Sequence, residues 1–148
     1  MFRGRYEYVI DAKGRLNVPA KVREVLAQEY SSSTLVVTNG FDGCLDCFPY
    51  PEWTRLEDKV SRLPQNKKEV KSFHRFYLSA AVECLLDKQG RILIPPSLRS
   101  YAQLEKEVVL VCAVKKIEIW SKERWERELA DTLGSADEIS TAMAEFGI

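Results

Sequence analysis

The chain has 148 residues, enough for one domain or two small ones. Of these, 45% are hydrophobic and 30% charged, the balance of a globular fold with a real apolar core. The 22 basic and 22 acidic residues cancel, which argues against a uniformly basic nucleic-acid binder. No apolar run approaches bilayer length, and the start (MFRGRYEYVI) has neither a long apolar stretch nor a small-residue cleavage pattern. No membrane segment or signal peptide is therefore expected, and the expected location is the cytoplasm.

In chain order, Tyr6, Tyr8 and Ile10 alternate along a first strand. Asp11-Ala12-Lys13-Gly14 reads as a tight turn, because an Asp side chain accepts from amides just ahead of it and Gly tolerates positive φ. Arg15 to Val18 returns extended, with Leu16 and Val18 inward and Arg15 and Asn17 opposite. Pro19 suits the first turn of a helix carrying Val22, Val25, Leu26 and Tyr30, and Ser31-Ser32-Ser33 ends it. Strands are predicted over 34–38 and 44–48, joined by a turn at Asn39–Gly43. From about Pro51 an amphipathic helix places Trp53, Leu56, Val60 and Leu63 on one stripe. A second, over 65–79, carries Val70, Phe73, Phe76 and Tyr77 on one side and Lys67, Lys68, Lys71 and Arg75 on a solvated face.

The order then recurs. Strand 82–86, turn Asp87–Gly90, return strand 91–94 and the helix start at Pro95-Pro96 lead to strand 108–114, a turn at Lys115-Lys116 and strand 117–120. Trp125 opens a helix as Trp53 does, and a last helix from about Asp137 aligns Ile139, Met143 and Phe146. DAKGRLNVPAKVR (Asp11–Arg23) and DKQGRILIPPSLR (Asp87–Arg99) share five of thirteen positions. The front halves align at an offset of 76 and the back halves at 72, which a shorter helix-to-strand loop in the second copy would explain. The chain is an internal duplication. It divides into a first repeat (5–48), a helical connector (49–80), a second repeat (81–120) and C-terminal helices (121–148).

Cys44 and Cys47 form a C-x-x-C pair, but Cys84 and Cys112 are isolated and His74 is the only histidine. Reduced, semi-buried thiols are expected, with no metal, disulfide or cofactor. With no nucleophile paired to a base and no phosphate-cradling glycine loop, no enzymatic constellation is present.

One repeat alone buries too little surface to be stable, so two are expected to share a core around a pseudo-two-fold axis. That axis would relate the turns holding Asp11, Gly14 and Arg15 to those holding Asp87, Gly90 and Arg91. Residues 1–23 carry six basic groups (Arg3, Arg5, Lys13, Arg15, Lys21, Arg23) against two acidic ones, and residues 123–148 carry two against seven. The basic head and the paired turns suit a repetitive anion such as DNA. On spacing alone, each Asp and Arg could equally be an ion pair that only stabilises its turn.

These motifs have a parallel. The opening MFRG, both D-x-x-x-R signatures, the Val-Pro and Ile-Pro that follow and the tryptophan after each closing strand make the chain resemble the MraZ family. The resemblance spans nearly the whole chain. It implies an α+β fold with a mainly β core, a double-split (swapped-hairpin) β-barrel of two tandem SpoVT/AbrB-like repeats with flanking amphipathic helices. It implies a sequence-specific regulator of transcription, typically a repressor of the division and cell-wall gene cluster containing its own gene. Its partners would be double-stranded DNA with repeated operator boxes and further copies of itself in a ring, in the cytoplasm and at the nucleoid. No membrane partner and no small-molecule substrate are implied. Carried onto this chain, the DNA contacts are Arg15 and Arg91, supported by Lys13 and Lys88 and, in the basic head, by Arg3 and Arg5. Asp11, Gly14, Asp87 and Gly90 brace the turns. Gln89 stands where the first copy has Lys13, so the two turns are expected to contact DNA unequally. The alternative is an oligomeric structural or protein-interaction module without direct DNA contact.

Overall fold

Pro19 and Pro95, each fixed in φ and lacking an N–H, mark the points where extended chain gives way to helix in the two repeats. The computed structural model describes every residue, Met1–Ile148. Its elements are β1 (Arg5–Val9), β2 (Arg15–Asn17), α1 (Ala20–Val25), β3 (Thr34–Asn39), β4 (Leu45–Pro49), α2 (Tyr50–Ser61) and α3 (Lys68–Phe73). The second half adds β5 (Val82–Leu85), β6 (Arg91–Leu93), α4 (Pro96–Ala102), β7 (Glu107–Ala113), β8 (Lys116–Ser121), α5 (Lys122–Gly134) and α6 (Ala136–Ala144). Helices α1 and α3 each run on into a wider, π-type turn, Leu26–Tyr30 and His74–Leu78.

The protein is α+β, with an antiparallel six-stranded sheet in the order β1-β7-β8-β4-β3-β5 and a separate two-stranded ribbon, β2–β6. Only β3–β4 and β7–β8 pair within a repeat. β1 of the first repeat lies on β7 of the second, β5 of the second lies on β3 of the first, and β2, β6, β4 and β8 pair across. The registers reveal the symmetry. Leu16 faces its own equivalent Ile92, flanked by Arg15 opposite Leu93 and Asn17 opposite Arg91. Asp46 likewise faces Glu118, flanked by Leu45 opposite Ile119 and Cys47 opposite Ile117. A pseudo-two-fold axis therefore passes through both pairs. The six-stranded sheet ends at β1 and β5 and does not close by hydrogen bonds.

The alternation read from the sequence sets the core. Leu16, Ile92, Val18 and Ile94 point from the ribbon into one apolar cluster with Leu35, Val37, Leu45, Val108, Leu110, Ile117 and Ile119 from the sheet. Both repeats contribute, so neither could retain this core alone. On the outer face, Val36, Trp53 and Tyr77 form a smaller cluster against which Phe48, Leu56, Phe73 and Phe76 pack. Tyr77 also anchors the connector by polar contacts. Its hydroxyl donates to buried Asp46 at 2.5 Å, and Thr38 donates to its carbonyl.

Several expectations need correction. The four-residue difference between the repeats lies in the helix: both helix ends carry a left-handed residue, Ser31 and Gln103, already 72 apart, and the loop that follows is one residue longer in the second copy, not shorter. The extra residues lie within the π-type turn after α1. Leu63 leaves the stripe, because α2 ends at Ser61 and Leu63 is exposed. The next helix starts at Lys68, after a turn closed by Lys67 N–H on the Pro64 carbonyl. The hairpin turn falls at Val114-Lys115, with Val114 at φ 65°, so Lys116 belongs to β8. It is held there by Asp46, 3.1 Å from its ammonium. Lys67, Lys68, Lys71 and Arg75 are exposed, as expected.

Candidate nucleic-acid interface

The ribbon carries the two signature turns on its ends. In the first, the Asp11 carbonyl accepts from Gly14 N–H, closing a turn in which Gly14 takes φ +89°. The carboxylate completes it. Asp11 Oδ1 accepts from the amides of Lys13 and Arg15, both at 2.9 Å, and Oδ2 accepts from Arg15 Nε at 2.5 Å. The second turn repeats this, with Gly90 at φ +74°. Asp87 Oδ1 accepts from the amides of Gln89 and Arg91, and Oδ2 from Arg91 Nε at 2.9 Å.

This arrangement does two things to the arginines. It fixes the Nε edge of each guanidinium, and it leaves both Nη nitrogens of Arg15 and Arg91 with no partner in the protein. An arginine tied at Nε presents its remaining N–H groups as a fork, the geometry that binds a phosphate or the guanine edge in two places at once. Lys13, Lys88 and Gln89 are exposed at the turn tips. Ion pairing and anion contact are thus compatible, because each Asp engages Nε and leaves both Nη nitrogens unpartnered.

The backbone amide of Arg15, then its side chain and the amide of Lys13, hold the Asp11 carboxyl down at about 2. Asp87 is lowered for the same reasons. A carboxylate depressed in the folded state stabilises the fold above its ordinary value near 3.8 and loses that contribution as pH falls through the folded value. Asp11→Asn is therefore expected to lower the thermal midpoint at neutral pH, and to cost progressively less between about pH 4 and about pH 2. A cost that stays constant across that window in a pH series of unfolding curves would show that the charge does not hold the turn.

The other basic candidates lie apart from this arrangement. Arg5, on β1, sits over the Trp125 ring at 5.3 Å from its centroid, tying α5 to the sheet. Arg3 is exposed and lines a cleft with Lys21 and Glu24. Two arginines not singled out as contacts do join the turns. Arg23 and Arg99, the last residues of each signature, place their guanidiniums against Gly90 and Gly14. The signal was present in the shared terminal Arg of the two segments, but nothing local says which turn each one reaches.

The remaining polar clusters do not suggest chemistry. Burial pushes Cys44 up to about 12 and Cys84 to about 11, and drives Cys47 well above its usual value, so these thiols stay protonated. Cys44, Asp46 and Glu118 bring donor atoms within 4.8 Å of one another. The Lys116 ammonium already supplies the cation there, 3.1 Å from Asp46 and 3.7 Å from Glu118. Burial opposes its charge, and the two carboxylates outweigh that and raise its pKa. No helix is long and apolar enough to cross a membrane.

Known proteins resemble this chain along its whole length. The family model described as "MraZ protein, putative antitoxin-like" matches residues 1–76 and again 77–146, so each match holds one signature turn. A protein of Pediococcus pentosaceus named transcriptional regulator MraZ is 46% identical over 148 residues, covering 100% of both chains. Proteins of the same name from Caldicellulosiruptor saccharolyticus (45%, 100% of both) and Lachnoclostridium phytofermentans (47%, 100% of this chain and 99% of that one) are equally similar. With two repeats matched and full-length relatives at this identity, the chain belongs to the MraZ family.

Proposed function

We propose that the protein is a sequence-specific DNA-binding regulator of transcription, acting as a repressor of the division and cell-wall gene cluster that contains its own gene. The observation that carries this reading is the pair of Asp-fixed arginines, Arg15 and Arg91, related by the pseudo-two-fold axis with their Nη groups free. Rigid, symmetry-related forks suit a helical anion with repeated binding boxes. Relatives named transcriptional regulators support the same role, which is not enzymatic. The exchange of strands between repeats supports reading sheet and ribbon together as a swapped-hairpin barrel that keeps the two turns at a constant spacing.

A neutral subunit with few phosphate contacts binds weakly, so the protein works as a ring-like homo-oligomer whose copies engage adjacent boxes. The supporting feature is the C-terminal pair α5–α6, which buries no residue fully and exposes Leu133, Ile139 and Met143, with Phe146 exposed just past the end of α6 rather than on its stripe. That acidic, apolar surface suits a neighbouring copy with a basic head. In the cell the protein then resides in the cytoplasm at the nucleoid.

The test is binding to a labelled duplex from the DNA upstream of its own gene as salt is raised, with a footprint and the native mass. Affinity should fall linearly on a log–log plot against salt, with regularly spaced protected boxes. Equal affinity for an unrelated duplex would defeat the assignment and favour a protein-interaction module instead.

A further inference from the structure

Resting on that reading, the geometry points to composite DNA-contact units exchanged between the repeats: Arg99 works with the turn of Asp11 and Arg15, and Arg23 with the turn of Asp87 and Arg91, each binding the phosphodiester backbone beside the other repeat's arginine fork.

Four observations converge on this. First, Arg99 Nε donates to the Ile94 carbonyl at 3.0 Å, and Arg23 Nε donates to the equivalent Val18 carbonyl at 3.2 Å. Both side chains are therefore anchored through Nε, as Arg15 and Arg91 are, with no Nη hydrogen bond within the protein. Second, each guanidinium lies against the opposite repeat's turn glycine. A Cβ added to Gly14 would come within 2.7 Å of Arg99 Nε, and one added to Gly90 within 2.9 Å of Arg23 Nε and Cζ. The glycines thus serve two needs at once, positive φ and room for a cation from the other repeat. Third, main-chain bonds lock the crossing. Ile94 N–H donates to the Gly14 carbonyl at 2.8 Å and Val18 N–H to the Gly90 carbonyl at 2.9 Å. Fourth, neither Arg23 nor Arg99 has an ion pair, since Asp11 and Asp87 are taken by Arg15 and Arg91.

A residue needed only to cover a glycine could be apolar. What stands there, twice and in symmetry-related positions, is an unneutralised guanidinium beside a turn that already presents an arginine fork. Each unit then carries one guanidinium more than its carboxylate neutralises, which calls for an external anion, and the free Nη groups give it donors. Because the exchange follows from β2–β6 pairing, each unit forms only when both repeats are folded together.

The test is a set of double-mutant cycles on the upstream duplex, read as affinity and salt slope. Arg23→Ala and Arg99→Ala should each weaken binding by roughly tenfold or more and reduce the salt slope by about one. Arg23→Lys and Arg99→Lys should restore the slope, a rescue that a purely structural lid would not require. Arg15→Ala with Arg99→Ala should cost clearly less than the product of the single effects, because they share one unit, whereas Arg15→Ala with Arg23→Ala should multiply. Coupling of Arg15 with Arg23 in place of Arg99 would overturn the exchange. So would silent Arg23→Ala and Arg99→Ala variants in a protein that still needs Arg15. A wild-type chain that does not prefer its own upstream duplex would defeat the DNA reading itself, a different outcome. Unfolding curves and native mass on every variant separate contact from folding, and the lysine variants keep the test informative if an alanine variant misfolds.

Discussion

Arg15→Ala combined with Arg91→Ala should abolish specific binding to the upstream duplex while leaving the fold in place. Each bidentate arginine contact is worth about 1–3 kcal/mol, so losing two per subunit costs roughly 2–6 kcal/mol before avidity is counted. That corresponds to a loss of about thirtyfold to twenty-thousandfold in a single subunit, and more when several copies must bind together. The fold should survive because the turn does not depend on the arginine side chain alone. Asp11 still accepts from the amides of residues 13 and 15, and Asp87 from those of 89 and 91, which alanine retains. The single variants are expected to differ in size, since Lys13 lies next to Gly14 in one turn and Gln89 next to Gly90 in the other. Electrophoretic mobility or fluorescence anisotropy on the cognate duplex, with circular dichroism and native mass as controls, decides it. Unchanged affinity with an intact oligomer would remove Arg15 and Arg91 from the interface.

Leu16→Ala should be the most damaging core substitution with a bearing on function. Leu16 is fully buried, sits on the pseudo-two-fold axis opposite Ile92, and joins the ribbon to the sheet. Removing a buried leucine side chain costs about 2–5 kcal/mol, the spread reflecting how far the surroundings relax. For a domain of this size that lowers the midpoint by roughly 5–20 °C. The loss should appear as one shifted cooperative transition, since both repeats supply the same core. Two separable transitions in calorimetry, one per repeat, would contradict a shared core. The substitution should also weaken DNA binding before the protein unfolds, because both turns hang on the ribbon that Leu16 secures.

Much of this was legible in local pattern. Alternation placed Leu16, Val18, Ile92 and Ile94 inside, and all four are buried. The Asp and Gly spacing marked both turns, and Pro19 and Pro95 marked both helix starts, because capping and turn chemistry act over a few residues. What misled was also local. Leu63 continued an apolar spacing past the point where the chain turns at Pro64, and Lys116 looked like a turn residue although its partner, Asp46, is distant in sequence. The second helix-to-strand loop looked shorter because the π-type turn that lengthens the first helix carries no distinct sequence signal.

The sequence by itself determined that the protein is a duplication, which faces of its strands are buried, and where its two arginine-bearing turns lie. Only the tertiary structure decided that the repeats exchange strands, that Asp46 and Glu118 meet on the axis beneath Lys116, and that Arg23 and Arg99 each cover the other repeat's glycine. The physical reason is that side-chain periodicity encodes which face of a strand is apolar but not which strand lies beside it. Pairing partners are chosen by the whole core at once, and the composite turns follow from that choice.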